Sequence, residues 1–173
     1  MKKVKLLCVL LFFFFAFTQS EKVQAQLAFG GSLGTNIPIK DGQSAGFGVG
    51  LKGMYFVNPK FAVGLNINRL SYSGNIVNSS ITGFTPFAHL FFSEEGFRPY
   101  IGIDAGIYRT TAAVLGISVN ESNFGIAPTL GAFYDLNDNF ALDFNLKYTL
   151  IFTEGSTGSS LPINVGVVYK LSK

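Results

Sequence analysis

The chain has 173 residues, 48% of them hydrophobic, with 20 Gly, 19 Phe and 7 Tyr but one Cys, one His and no Trp. One cysteine leaves no intrachain disulfide, and one histidine beside it cannot build the Cys/His set that holds structural zinc. Lys and Arg number 13 against 10 Asp and Glu, an excess whose position in the chain decides what it means.

Met1 to Ala25 reads as a secretory signal peptide. Lys2, Lys3 and Lys5 form a basic start, Leu6 to Phe17 is an apolar run, and Val23-Gln24-Ala25 supplies a cleavage site before Gln26. The apolar run is short for a membrane-spanning helix. Cys8 lies inside it and leaves with it. Four of the 13 basic residues and one of the 10 acidic ones also leave, so residues 26–173 carry nine of each and are formally neutral. That balance removes the basis for a nucleic-acid partner. The remaining length suits a single domain.

From Gln26 onward no stretch has helical periodicity. Apolar residues recur at every second position, in segments long enough for a tilted strand to cross a bilayer. The alternation predicts eight strands, at about 27–36, 45–57, 60–72, 81–93, 97–110, 122–136, 139–152 and 161–171. In the second, Phe47, Val49, Leu51, Tyr55 and Val57 share one face, while Gly46, Gly48, Gly50, Lys52 and Met54 share the other. The seventh sets Phe140, Leu142, Phe144, Leu146, Tyr148 and Leu150 against Ala141, Asp143, Asn145, Lys147 and Thr149. The segment 81–93 does not sort by polarity, so its facing stays open.

An eight-stranded barrel has an interior just wide enough to be filled by side chains. Small residues fit there, whereas rows of Phe and Leu from eight strands would crowd it. The large apolar face is therefore expected to point outward to lipid, with the ring closed so that no unpaired strand edge meets hydrocarbon. Short turn-like connections at 57–60, 93–96 and 136–139 alternate with longer ones at 37–44, 73–80, 111–121 and 153–160. Such alternation matches short periplasmic turns and long extracellular loops. Tyr55, Phe61, Phe92, Phe97, Tyr100, Tyr134, Phe140 and Tyr169 lie near the short-turn end and are expected to form an interfacial girdle.

The closing segment carries Asn164, Gly166, Tyr169 and Leu171 in an order that resembles the C-terminal assembly signal of outer-membrane barrels, although the chain ends Leu171-Ser172-Lys173 instead of on Phe. Arg98-Pro-Tyr-Ile-Gly-Ile-Asp-Ala-Gly-Ile-Tyr108 is similar to a strand with the pattern RPY-x-G-x-x-x-G common among small barrels. On these residues the chain resembles the OmpA/OmpX-like outer-membrane β-barrel proteins of Gram-negative bacteria. The resemblance implies an all-β, eight-stranded antiparallel up-and-down transmembrane barrel over 26–173 in the outer membrane. Its implied partners are the surrounding lipid, the barrel-assembly machinery and an extracellular protein or surface met by the loops. It does not fix an activity, because such barrels serve as adhesins, stabilising proteins, narrow pores and occasionally enzymes.

Chemistry-bearing clusters are sparse. His89 precedes Ser93 and Glu94, a set that lipid-modifying barrels use, but those two sit in a short turn and the spacing supplies no triad. Gly46, Gly48 and Gly50 alternate along a strand with no helix after them and so do not form a phosphate loop. No catalytic, metal or cofactor residue is assigned. By alternation Lys52, Asp104, Asp143 and Lys147 point inward at one level, flanked by Asn66 and Asn145. They are expected to pair across the interior and plug it, so that replacing both lysines opens a leak. The leading reading is a non-enzymatic structural or interaction protein acting through its extracellular loops. A narrow pore and a lipid-modifying enzyme are the alternatives. The apolar 111–121 stretch either continues strands five and six above the membrane or folds over the barrel mouth.

Overall fold

The computed structural model describes residues 26–39, 45–73, 78–114 and 117–171, so the expected signal peptide and the end of the chain lie outside the described residues. The strands are β1 (Gln26–Pro38), β2 (Gly46–Asn58), β3 (Phe61–Ser73), β4 (Asn78–Phe91), β5 (Phe97–Val114), β6 (Ile117–Asp135), β7 (Phe140–Lys147), β8 (Thr149–Thr153) and β9 (Ser156–Lys170). Each pairs antiparallel with its neighbour, and β9 returns to β1 in a ladder from Ala28↔Lys170 to Pro38↔Ser160. The Leu171 N–H donates to the Leu27 carbonyl at 2.8 Å and finishes the seam. Closure satisfies every stave on both sides, which a hydrocarbon environment requires.

β7 and β8 are one stave, so the barrel has eight. The interruption falls at Tyr148, whose N–H donates to the Pro128 carbonyl at 2.9 Å. Pro128 on β6 has no N–H to return, so the ladder loses half of that exchange. The β4–β5 ladder likewise passes over Thr85 and Pro86.

The two faces divide by size as the alternation predicts. Leu51 is 68% exposed, and Phe29, Phe47, Phe84, Ile103, Leu130, Phe144 and Val165 are exposed around it on the outside of the wall. The inward face carries Ala28, Ala62, Ala127 and Ala141 beside a few large groups, all buried. A surface so apolar would be an aggregation liability in water and is what a bilayer solvates. β4, undecided from polarity, turns Thr85, Phe87, His89 and Phe91 inward and Phe84, Leu90 and Phe92 outward.

Three of the four expected long connections are shorter than their composition implied. β4 begins at Asn78, β9 begins at Ser156 after a turn at Glu154-Gly155, and β5 and β6 consume most of 111–121. Gly155 takes φ 75° in that turn, a conformation glycine adopts without steric cost. Beyond the apolar band both faces of a strand meet water, so the ladder continues while the polarity alternation that revealed it stops.

The β5–β6 hairpin outruns its neighbours. Its ladder runs from Phe97↔Tyr134 to Val114↔Ile117. On the far side of β6 the pairing with β8 stops at Phe124↔Phe152. Among the described residues, Ile117 to Asn123 therefore pair only with β5. Of the two readings of 111–121, the structure takes the strand continuation.

Candidate functional site

The interior is organised in three levels. The lowest, toward the short turns, is an aromatic plug. Met54, Phe56, Phe91, Tyr100, Phe133 and Val168 fill the space left by Ala28, Ala62 and Ala141. Phe91 packs on Tyr100 at 5.1 Å and edge-on to Phe133 at 5.2 Å between ring centres. Beneath them the Arg98 guanidinium lies 4.6 Å from the Phe91 ring and 5.0 Å from the Phe56 ring. One of its amino groups donates to the Pro59 carbonyl at 2.7 Å, and Asp135 lies at 4.0 Å while also accepting from Lys170 Nζ at 3.0 Å.

Above the plug His89 is sandwiched between Phe87 and Tyr100, with centroids at 4.3 and 4.5 Å. The stack requires close backbone approach on the neighbouring strands. A Cβ at Gly102 would fall on the His89 ring and one at Gly131 on the Tyr100 ring, both inside van der Waals contact. Both His89 ring nitrogens lack a hydrogen-bond partner, and Asp104 Oδ1 is 3.8 Å from Nε2.

The middle level holds the four charges. Lys52 Nζ meets Asp143 Oδ2 at 2.5 Å, and Lys147 Nζ meets Asp104 Oδ2 at 2.5 Å. Asp104 also accepts from Asn66 at 2.5 Å and from Thr129 at 3.0 Å. Asp143 accepts from the Tyr100 hydroxyl at 2.8 Å and from Asn145 at 3.2 Å, and Asn145 accepts from Asn164 at 2.9 Å. The network thus ties together β2, β3, β5, β6, β7 and β9. Each carboxylate has two or more donors, so the charges are buried but compensated.

The upper level is open by comparison. A cavity of about 40 Å³ lies above the charges, lined by Ser32, Asn36, Asn68, Tyr108, Thr149 and Asn164 among others. That is room for about three ordered waters, each needing some 10–15 Å³ and polar partners. Gly48 and Gly50 thin the wall here.

The four sequence-predicted lumen residues are therefore brought together, as two ion pairs. Tyr100 is not in the girdle. It points inward, fully buried, because strand parity from Asp104 places it on the lumen face, where its hydroxyl serves Asp143. The other seven girdle residues lie on the outward face, Phe61 half-buried and the rest exposed. Of the closing-strand set, Asn164 and Gly166 face inward, whereas Tyr169 and Leu171 are exposed on the outside. The His89 set does not assemble. Ser93 donates to the Phe97 carbonyl at 2.5 Å, and Glu94 pairs with Lys60 at 3.3 Å, both in the exposed turn region away from the buried ring. The sequence reading does not reach the plug of Arg98, Phe91 and Phe133; its one trace in the sequence is the segment 81–93, where aromatic residues fall on both faces. The plug bears on one expectation: besides the charges, a packed aromatic layer also fills the lumen that the lysine replacements were expected to open.

The wall is closed, has eight staves and is apolar outside, and the model of the outer membrane protein beta-barrel domain matches residues 6–170. The chain belongs to that family. It is an outer-membrane β-barrel of Gram-negative type, set in the lipid of that membrane. Among solved structures it is similar to neisserial surface protein A, at 16% identity and TM-score 0.76, covering 84% of this chain and 97% of that one. It is also similar to Ail, the attachment invasion locus protein of Yersinia pestis, solved in complex with the heparin analogue sucrose octasulfate, at 16% identity and TM-score 0.64 over 86% of this chain and 100% of that one. OprG of Pseudomonas aeruginosa follows at 16% identity and TM-score 0.59, with 90% and 99% covered. No curated protein matches. At these identities the solved barrels share the fold with this family member and speak to nothing finer.

Proposed function

We propose that this barrel is a non-enzymatic interaction protein that works from its extracellular side. The observation that carries the reading is the β5–β6 hairpin, which stands past the pairing limit of β8 and, among the described residues, leaves the Ile117–Asn123 edge of β6 without a neighbouring strand. Val119, Asn120, Glu121 and Ser122 are exposed along it. A strand edge with unmatched backbone groups takes up an extended segment of a partner by strand addition. The blocked interior supports the same reading, since two stacked seals give solutes no path. His89 supports it too, being stacked between rings with neither Ser93 nor Glu94 near it. Export through the segment 1–25 and insertion through Asn164, Gly166, Tyr169 and Leu171 by the barrel-assembly machinery belong to the same proposal.

The test replaces residues 110–121 with a two-residue turn joining Arg109 to Ser122, which removes most of the unmatched edge, and compares this protein with the full chain in cells lacking the native copy. The shortened barrel is expected to reach the outer membrane, to keep its heat-modifiable gel mobility and to lose the surface phenotype of the full chain. Full rescue by the shortened barrel would reject the hairpin as the working part.

A further inference from the structure

Two arginines stand on the lipid-facing side of the wall where the apolar band ends. Arg69 on β3 pairs in register with Thr82 on β4, Thr82 with Arg109 on β5, and Arg109 with Ser122 on β6. All four have the outward parity, and Arg69, Arg109 and Ser122 are exposed. One row toward the periplasm, the same strands present Ile67, Phe84, Ile107 and Phe124, also in register and all exposed. One row outward they present Ser71, Ser80, Thr111 and Asn120. The wall thus changes from wholly apolar, through a row with two guanidiniums, to wholly hydroxyl and amide within three rows.

Neither guanidinium has an acidic partner among the described residues. Glu121 lies on the opposite face of the β6 ladder and accepts from Asn123 at 2.9 Å. Glu154 is in the β8–β9 turn, across β6 from this row. Two interstrand spacings separate the arginine backbones, about 10 Å, so their long side chains can converge on one group between them. Thr82 lies between the two, and Ser122 beyond Arg109, with hydroxyls on the same side. An exposed cation at the edge of a hydrocarbon band has the charge complement of an anionic lipid head, and Arg forks fit phosphate oxygens in pairs.

We propose that Arg69 and Arg109, with Thr82 and Ser122, bind the phosphomonoester headgroup of an outer-leaflet lipid whose acyl chains lie along Ile67, Phe84, Ile107 and Phe124. The occupant is a lipid and not free phosphate, because the apolar row directly beneath the cations accommodates the tails that a free anion lacks. The site shares Ser122 with the strand-addition edge, but its two arginines lie on β3 and β5, outside that edge, and it is separate from the lumen charges.

The full chain is folded into phosphatidylcholine nanodiscs containing a minor fraction of phosphatidic acid, and lipids retained after transfer to neutral detergent are counted by native mass spectrometry. Wild-type barrel is expected to retain phosphatidic acid over phosphatidylcholine, and the Arg69→Gln/Arg109→Gln variant to lose about tenfold of that preference. The Arg69→Lys/Arg109→Lys variant, which keeps the charge but not the forks, is expected to fall between. Heat-modifiable mobility verifies that each variant is folded, which these outward positions allow. Equal preference in wild type and the glutamine variant would overturn the site. Displacement of the retained lipid by inorganic phosphate at matched concentration would overturn the choice of a lipid as occupant.

Discussion

Breaking one lumen ion pair measures directly whether the charges are buried and mutually dependent. Lys147 and Asp104 are 7% and 0% exposed, with Nζ and Oδ2 2.5 Å apart. At an effective dielectric of about 20 their attraction is about 7 kcal/mol, set against a desolvation cost of several kcal/mol for each ion. Taking either partner away strands the other. Lys147→Met leaves Asp104 with the neutral donors Asn66 and Thr129 and with His89 Nε2 at 3.8 Å, and Asp104→Asn leaves Lys147 without its directly paired counter-ion. Each single change is expected to destabilise the barrel by about 3–5 kcal/mol, while the double change costs about as much as one single change or less. The chain has no Trp, so folding into phospholipid vesicles over a urea series is followed by circular dichroism and by gel mobility without heating. Single losses below about 1 kcal/mol that simply add would mean that water solvates both ions, and the sealed lumen would have to be abandoned.

The two seals make separate predictions in planar bilayers. Wild-type protein and the Lys52→Ala/Lys147→Ala variant should both show no steady conductance, whereas adding Phe91→Ala and Phe133→Ala to that variant should produce a leak; conductance from the lysine variant alone would show that the aromatic plug is not a barrier. Phe144 is outward and exposed at mid-strand, so Phe144→Arg should cost about 2–4 kcal/mol in lipid-vesicle folding, and an unchanged free energy would contradict its lipid-facing place. Tyr169 is exposed on the closing strand and packs 5.1 Å from the Phe140 ring, so Tyr169→Ala should lower the amount of barrel in the outer membrane while Tyr169→Phe preserves it, as read by immunoblot of membrane fractions. Equal levels for both would remove Tyr169 from the assembly signal.

Much of this barrel is written in a period of two. Apolar residues at every second position of β2, β7 and β9, with Gly, Ala and Asn between them, dictate a wall with one lipid face, because a one-residue slip would turn every large side chain into a space too small for it. The same parity put Lys52, Asp104, Asp143 and Lys147 inside, since a strand alternates whatever lies beyond it. Where both faces meet the same kind of surroundings, parity is silent. Above the membrane both meet water, so the early start of β9 has loop-like composition, the β5–β6 extension is apolar without sorting its two faces, and both are strands only because a neighbour pairs with them. In β4 both faces carry aromatic residues, so only the register against β3 and β5 decides that His89 and Phe91 point inward. Tyr100 shows the limit most plainly. Its position near a short turn suits a girdle, and its parity suits the lumen; the partner that settles the matter, Asp143, is 43 residues away in sequence and 2.8 Å away across the barrel. Pairings across a closed wall depend on shear and register summed over all the staves, and no local stretch of sequence carries that sum.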